Sequence, residues 1–416
     1  MINNSENNEN WFSIANIWFG CIASLPALLI GSTLIVSLTL YEAILVAFLA
    51  YSFVLIFLSL LSVKSVKHRL NAVQLAERSF GYTGSKVIVG LIIGFASMIW
   101  FGIQTNIAGM SFSKVLLDVF DIHFSVGASS FFWGLIMVLT AVFGFKYVKW
   151  LNLIAVPSIL ILIIFSLYVT LDGVSLTDIW SYRPASKLSL IKATGMVVGL
   201  IAVGGVISPD YNRFARTPRT AVIGSVVGML PAAVAFLTIG AVLSIIKGTS
   251  DIVDIFAQIG YPIMAMSILI LVTWTSNVMS AYSGGLGLNG TLHLSEKFRP
   301  YTTLIVGIVG TFLGVFGILE RFTDVAILFS AMIPPIAGVI IADYYFSTRA
   351  DNNNRRSFEW IGIISWLCGV SIVFLFESDL KNILGILVSG LIYFMLIKLV
   401  KSLKIFNHKS KIININ

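Results

Sequence analysis

Charge is what this sequence has least of. Only 11% of its 416 residues are Asp, Glu, Lys or Arg, where a soluble domain carries about a quarter to cover its surface. Cysteine is nearly absent as well. Cys21 and Cys368 both lie inside apolar runs, which implies no disulfide framework. The histidines (His68, His123, His293 and His408) stand apart in loops and tails without metal-ligand spacing. No G-x-x-x-x-G-K-[ST] phosphate loop, G-x-S-x-G elbow or H-E-x-x-H pair occurs, and the lone S-x-x-K from Ser111 to Lys114 is short enough to arise by chance. These absences argue against an ATP-driven pump in one chain and against an enzyme, so no catalytic residue and no catalytic cofactor is expected. The first residues, MINNSENNENW, lack a basic stretch and a small-residue cleavage site, so no removable signal peptide is expected.

What is present is apolar sequence. Hydrophobic residues make up 57% of the chain and the mean hydropathy is +0.95. Uncharged runs such as 14–41 and 43–63 exceed the roughly 20 residues that cross a bilayer core. The net charge of +8 does not point to nucleic acid, because the basic residues are scattered between apolar runs rather than gathered on one face. They read as topology signals.

Twelve spans are expected, near 14–41, 43–63, 86–115, 124–145, 149–171, 191–208, 218–246, 260–291, 301–318, 321–346, 358–376 and 382–400. With the N-terminus inside, twenty of the 27 Lys and Arg residues fall on inside segments. Seven remain outside: Lys114, Arg183, Lys187, Lys192, Lys247, Arg321 and Lys381. The opposite orientation inverts that split, so both ends are expected on the cytoplasmic side of a cell membrane, with lipid around the spans.

Almost no ionisable residue sits mid-span, where a centred Asp or Lys costs roughly 2.5–3.5 kcal/mol. Asp210 and Asp343 lie near the inner ends of their spans. A neutral or weakly polar solute, handled by hydroxyls, amides, backbone and aromatics, fits that pattern. Two spans carry Gly and Pro interruptions. The first has Phe19-Gly20-Cys21-Ile22-Ala23-Ser24-Leu25-Pro26, and the sixth has Gly195, Gly199 and Gly204-Gly205 before Ser208-Pro209-Asp210. Interrupted helices at corresponding positions of two halves point to the site of an inverted-repeat transporter, while glycine-based packing is the plain alternative. Gly90/Gly94, Gly224/Gly228 and Gly310/Gly314 read simply as contact faces.

The third span sets Ser97, Trp100, Phe101, Gln104 and Ala108 on one helical face. A mid-span Trp beside hydrogen-bonding groups suits a planar heterocycle, although a packed core Trp with a bracing Gln explains it too. The eighth span holds Val272-Thr273-Trp274-Thr275-Ser276-Asn277. The Thr275 and Ser276 hydroxyls and the Val272 carbonyl, with carbonyls from Gly20 and Ala23, make about five oxygens for a cation such as Na⁺. Back-bonding to the preceding helical turn is the alternative for those hydroxyls.

At these residues the chain resembles the nucleobase–cation symporter family. The resemblance rests on Leu75-Ala76-Glu77-Arg78-Ser79-Phe80-Gly81, Trp100-Phe101-Gly102, Asp210-Tyr211-Asn212-Arg213-Phe214, and Trp274-Thr275-Ser276-Asn277 through Ser283-Gly284-Gly285-Leu286-Gly287. The block from Ile333-Pro334-Pro335 to Ala342-Asp343-Tyr344 is the most specific. The resemblance implies an all-α membrane protein of the leucine-transporter type. Residues 14–171 and 191–346 would be inverted five-helix repeats and 358–400 two added helices, between tails 1–13 and 401–416. It also implies a substrate site with Trp100 stacking on the ring, lined by Ser97, Gln104, Ser24, Ile201, Gly204 and Asn277. The sodium site would be Gly20, Ala23 and Val272 through carbonyls with Thr275 and Ser276, H⁺ being the other possible coupling ion.

Two departures matter. Cytosine-transporting members have a glutamine where this chain has Ser97, and a sixth-span aromatic where it has Ile201. A sodium-coupled importer of a nucleobase-like heterocycle is therefore expected, with cytosine, hydroxymethylpyrimidine, a purine, allantoin or a hydantoin as candidate cargo. A base-binding receptor and a passive channel compete. The lack of a sizeable cytoplasmic domain weighs against the receptor.

Overall fold

A backbone inside hydrocarbon must satisfy its own N–H and C=O groups, and this chain does so with helices. In the computed structural model, which describes residues 8–250, 255, 262–347 and 356–413, the sixteen main helices are as follows. The first group is α1 (Trp11–Ile22), α2 (Leu25–Leu34), α3 (Leu40–His68), α4 (Ala72–Phe80), α5 (Leu91–Phe120), α6 (Val126–Val142) and α7 (Phe145–Leu171). Then come α8 (Leu190–Ile207), α9 (Pro209–Asn212), α10 (Pro218–Lys247), α11 (Pro262–Thr291), α12 (Arg299–Val315), α13 (Phe322–Met332), α14 (Pro334–Phe346), α15 (Trp360–Leu375) and α16 (Lys381–Ile413). Among the described residues no strand ladder forms; Glu9 and Ala215 make an isolated bridge.

Each of the twelve apolar runs folds as a helix or helix pair, the run 260–291 being described from Pro262 onward. Eight are long and apolar enough to cross a membrane unaided, and the bent pair α1/α2 makes a ninth. The other three differ for local reasons. Helices α6 and α15 have only 17 and 16 residues. Helix α11 has 30 residues and carries the polar stretch Thr273 to Asn277 among apolar positions.

The two interruptions expected from sequence turn out differently. The first span is broken: α1 and α2 meet at an angle of 56°. Ala23 leaves helical geometry at ψ 70°, and Pro26 sits in the first turn of α2, where its missing N–H costs nothing. The sixth span is not broken. Helix α8 runs without interruption from Leu190 to Ile207 and only its end, at Ser208-Pro209, departs. Its glycines serve packing instead: a methyl on Gly199 would overlap Ser330 and Asn382, and one on Gly205 would overlap Phe57. Close approach also explains Gly224 and Gly228, which lie against α1, and Gly310 and Gly314, which lie against α5.

Helix α4 shows why three separated motif blocks belong together. Asn71 and Gln74 close its N-terminus reciprocally, a capping box in function. The Ala72 N–H then donates to Asp210 Oδ1 at 2.9 Å. At the other end Ser79 Oγ donates to Asp343 Oδ2 at 3.1 Å and Arg78 pairs with the same oxygen at 3.3 Å. Both aspartates are buried. Through them α4 is joined to α9 and α14.

Candidate functional site

The break in α1 frees carbonyl groups. Ala23 N–H donates to Phe19 at 2.7 Å and Ser24 N–H turns back to Ile22 at 2.6 Å, leaving the Gly20 carbonyl without a backbone donor among the described residues. Ser24 is buried at the start of α2, and its hydroxyl caps nothing.

Helix α11 delivers hydroxyls to this break. Ser276 Oγ reaches across to the Cys21 carbonyl at 3.0 Å and also contacts the Val272 carbonyl at 3.1 Å. Thr275 Oγ1 contacts the Val272 and Leu271 carbonyls, each at 3.2 Å. Ser276 thus joins α11 to the broken helix, while Thr275 bonds back to the preceding turn of its own helix. The carbonyl that touches Ser276 is that of Cys21, one residue beyond Gly20. Each hydroxyl donates its proton to a carbonyl and keeps lone pairs for a further partner.

Packed against α11, α5 presents its polar face. Gln104 Nε2 donates to Asn277 Oδ1 at 3.3 Å. The Asn277 amide nitrogen in turn donates to the Phe101 carbonyl at 3.2 Å and to Thr105 Oγ1 at 3.0 Å. This chain of contacts orients both amides. A main-chain carbonyl can only accept, so Asn277 must turn its NH₂ to Phe101 and its oxygen to Gln104. Gln104 must then present its own NH₂ to Asn277. Its Oε1 is left buried and unpaired, on the same face as half-buried Trp100 and one turn away. Asn277 itself is fully buried and occupied by this brace. It supports Gln104 rather than offering free donors of its own.

The two departures are placed as follows. Ser97 lies against Gly284, where an added methyl would overlap its Cβ, and its hydroxyl makes no hydrogen bond among the described residues. On α8, Ile201 and Gly204 are half-buried. A Cβ on Gly204 would meet only the Trp18 ring, at 3.9 Å, so open space remains beside that indole.

Two features escaped the reading of the sequence. Trp18 Nε1 donates to Asn212 Oδ1 at 2.9 Å, and Asn212 Nδ2 donates to Ser62 and Ser225 at 2.6 and 2.9 Å. This fixes α1 to α3, α9 and α10. Asn152 of α7, fully buried, sets its side-chain oxygen where a Gly20 Cβ would stand. The available signal was a lone amide in the apolar run 149–171. Among the described residues no cluster of His, Cys, Asp and Glu could hold a metal.

Comparison with known proteins places this architecture. A family model described as permeases for cytosine/purines, uracil, thiamine and allantoin matches residues 1–396. The cytosine permease of Escherichia coli strain K12 is 29% identical over 346 residues, 82% of this chain and 80% of its own. The hydantoin permease of Microbacterium maritypicum is 22% identical over 427 residues, 94% and 86% of the two chains. Among solved structures, the nucleobase-cation-symport-1 transporter Mhp1, closed with bromovinylhydantoin bound, has a TM-score of 0.83 at 20% identity. That match covers 96% of this chain and 94% of that one. Inward-facing Mhp1 has a TM-score of 0.79. The fold is therefore that of a polytopic helical membrane protein like Mhp1, and the chain belongs to the nucleobase–cation symporter family, a transporter and not an enzyme.

Proposed function

We propose that this chain imports a nucleobase-like heterocycle together with Na⁺. In this reading twelve spans form two inverted five-helix repeats plus two helices, working by alternating access with both chain ends cytoplasmic. The observation that carries it is the reach of Ser276 from α11 to the Cys21 carbonyl at the α1 break, while the next residue, Asn277, holds the Gln104 amide and leaves its oxygen unpaired. Gly20, Ala23 and Val272 carbonyls with the Thr275 and Ser276 hydroxyls would hold the ion. Substrate would stack on Trp100 among Ser97, Ser24, Ile201 and Gly204. A buried acceptor without a donor costs about 1–3 kcal/mol, and a ring N–H placed on Gln104 Oε1 recovers it. That favours a heterocycle with a donor at its edge.

The test is uptake of radiolabelled cytosine into proteoliposomes under an inward Na⁺ gradient, with K⁺ as the control. Accumulation that collapses without Na⁺ is expected. Uptake indifferent to Na⁺ would sink the coupling, and H⁺ would take its place if a pH gradient drives it. A second reading keeps the mechanism and changes the ring, because Ser97 and Ile201 replace an amide and an aromatic. The named relatives take cytosine and hydantoin, so a competition panel of pyrimidines, purines, allantoin and hydantoins separates the candidates.

A further inference from the structure

Helix α8 carries four glycines, Gly195, Gly199, Gly204 and Gly205, and glycine inside a helix weakens it relative to alanine. Packing accounts for three of them. A Cβ on Gly195 would overlap the Asp379 carbonyl, one on Gly199 would overlap Ser330 and Asn382, and one on Gly205 would overlap Phe57. Gly204 is the exception. Among the described residues a Cβ there would meet only Trp18 Cζ3, at 3.9 Å, an ordinary contact rather than a clash. Gly204 is also only half-buried, as is Ile201 one turn earlier on the same face. Close approach of another helix therefore does not require glycine at 204, and the volume a side chain would take is left open.

The wall across this notch is fixed. Trp18 is fully buried, its Nε1 donates to Asn212 Oδ1 at 2.9 Å, and its ring stands edge-on to Tyr211 with centroids 6.0 Å apart. Trp18 precedes Cys21 by one turn of α1, and the Cys21 carbonyl accepts from Ser276. One turn beyond Gly204, again on the same face of the helix, Ser208 is fully buried and its hydroxyl has no hydrogen-bond partner among the described residues. Buried hydroxyls are normally paired. Helix α8 thus carries an unfilled volume followed by an unanswered polar atom.

We propose that the notch between Gly204 and Trp18 receives a substituent of the transported ring, so that the cargo is a heterocycle bearing a one-carbon group and not a bare ring. The carbon takes the place of the missing side chain, against the indole. A hydroxyl or amine on that carbon reaches on to Ser208, whose hydroxyl can donate or accept. The ring N–H and the substituent are then read by different helices, α5 through Gln104 and α8 through Gly204 and Ser208. This inference deepens the heterocycle reading above and rests on it.

The experiment follows the thermal midpoint of the full chain in detergent, with Na⁺ present, against the concentration of each probe. The probes are cytosine, uracil and hydantoin, their forms methylated on ring carbon, and the 5-hydroxymethyl forms of the two pyrimidines. Wild type is expected to reach half-saturation at about ten- to two-hundredfold lower concentration with a methylated ring than with its bare parent. Gly204→Ala is expected to bring that ratio to one or below, because its methyl occupies the notch. Ser208→Ala is expected to remove the further gain of hydroxymethyl over methyl. The ligand-free midpoint of Gly204→Ala should match or exceed wild type, whereas that of Gly205→Ala should fall below it. No response to any ring overturns the heterocycle reading and this inference with it. A response to rings without preference for the methylated forms overturns the notch alone. So does a Gly204→Ala variant that keeps the preference or melts below wild type. A hydroxymethyl gain that survives in Ser208→Ala overturns the part given to Ser208.

Discussion

At the scale of single residues, the orientation of Gln104 follows from an atom that is not a side chain. The Phe101 carbonyl turns Asn277, Asn277 turns Gln104, and the Gln104 oxygen is left without a donor. Gln104→Leu removes that acceptor with little change in volume, so heterocycle uptake is expected to fall to background. Stabilisation by Na⁺, read as a thermal shift, is expected to persist because Thr275 and Ser276 are untouched. Loss of both responses would place Gln104 in the scaffold instead. The residues legible in the sequence were those whose side chains are out of place in hydrocarbon: Trp100, Gln104, Thr275 and Ser276. The Cys21 carbonyl carried no signal, since any residue type supplies one. Asn152 carried one polar letter among apolar neighbours, which says that something is bonded there but not what. Asn277 was read as a ring contact, yet only the fold shows its amide already committed to α5.

At the scale of elements, the same letters gave different outcomes in two spans. Gly and Pro near Gly20 accompany a real break because Ala23 and Ser24 abandon the helical ladder. Gly and Pro on α8 do not, because Gly199 and Gly205 let neighbouring helices in and Pro209 comes after the span. Composition alone cannot separate a glycine that bends from one that lets another helix in. Helix α4 was visible only as a motif. Its role comes from two aspartates more than a hundred residues apart, and such contacts leave no local periodicity. Arg78→Ala leaves the fully buried Asp343 without this ion pair, and stripping a partner from a buried charge costs about 3–5 kcal/mol. A lowered thermal midpoint is therefore expected for Arg78→Ala. Adding Asp343→Asn should recover much of the loss, because the amide removes the stranded charge and still accepts from Ser79. A double variant no better than Arg78→Ala would count against this account.

At the scale of the molecule, orientation was the clearest property of the sequence, resting on where Lys and Arg fall. It is also directly checkable. In a background without Cys21 and Cys368, Lys187→Cys is expected to react with a membrane-impermeant maleimide on intact cells, and His68→Cys only after the membrane is opened. Both positions are exposed, so reversed labelling would invert the topology. The face holding residue 68 is cross-linked by hydrogen bonds. Arg69 donates to the Arg213 and Ala215 carbonyls at 2.5 and 2.7 Å, Tyr211 reaches Ser283 and the Met279 carbonyl, and Trp18 is anchored on Asn212.

The segment before α1 belongs to this network. Glu9 N–H donates to the Phe214 carbonyl and Arg216 N–H donates back to Glu9, while Lys149 takes the carboxylate. Glu9 is thus held between two parts of the bundle by main-chain bonds that do not depend on its side chain. For anyone building a reporter, this makes the tail a handle. A fluorophore ahead of Glu9 would travel with the lower end of α1, so its distance to a second dye in the loop after α9 would read the transport cycle without labelling the substrate path.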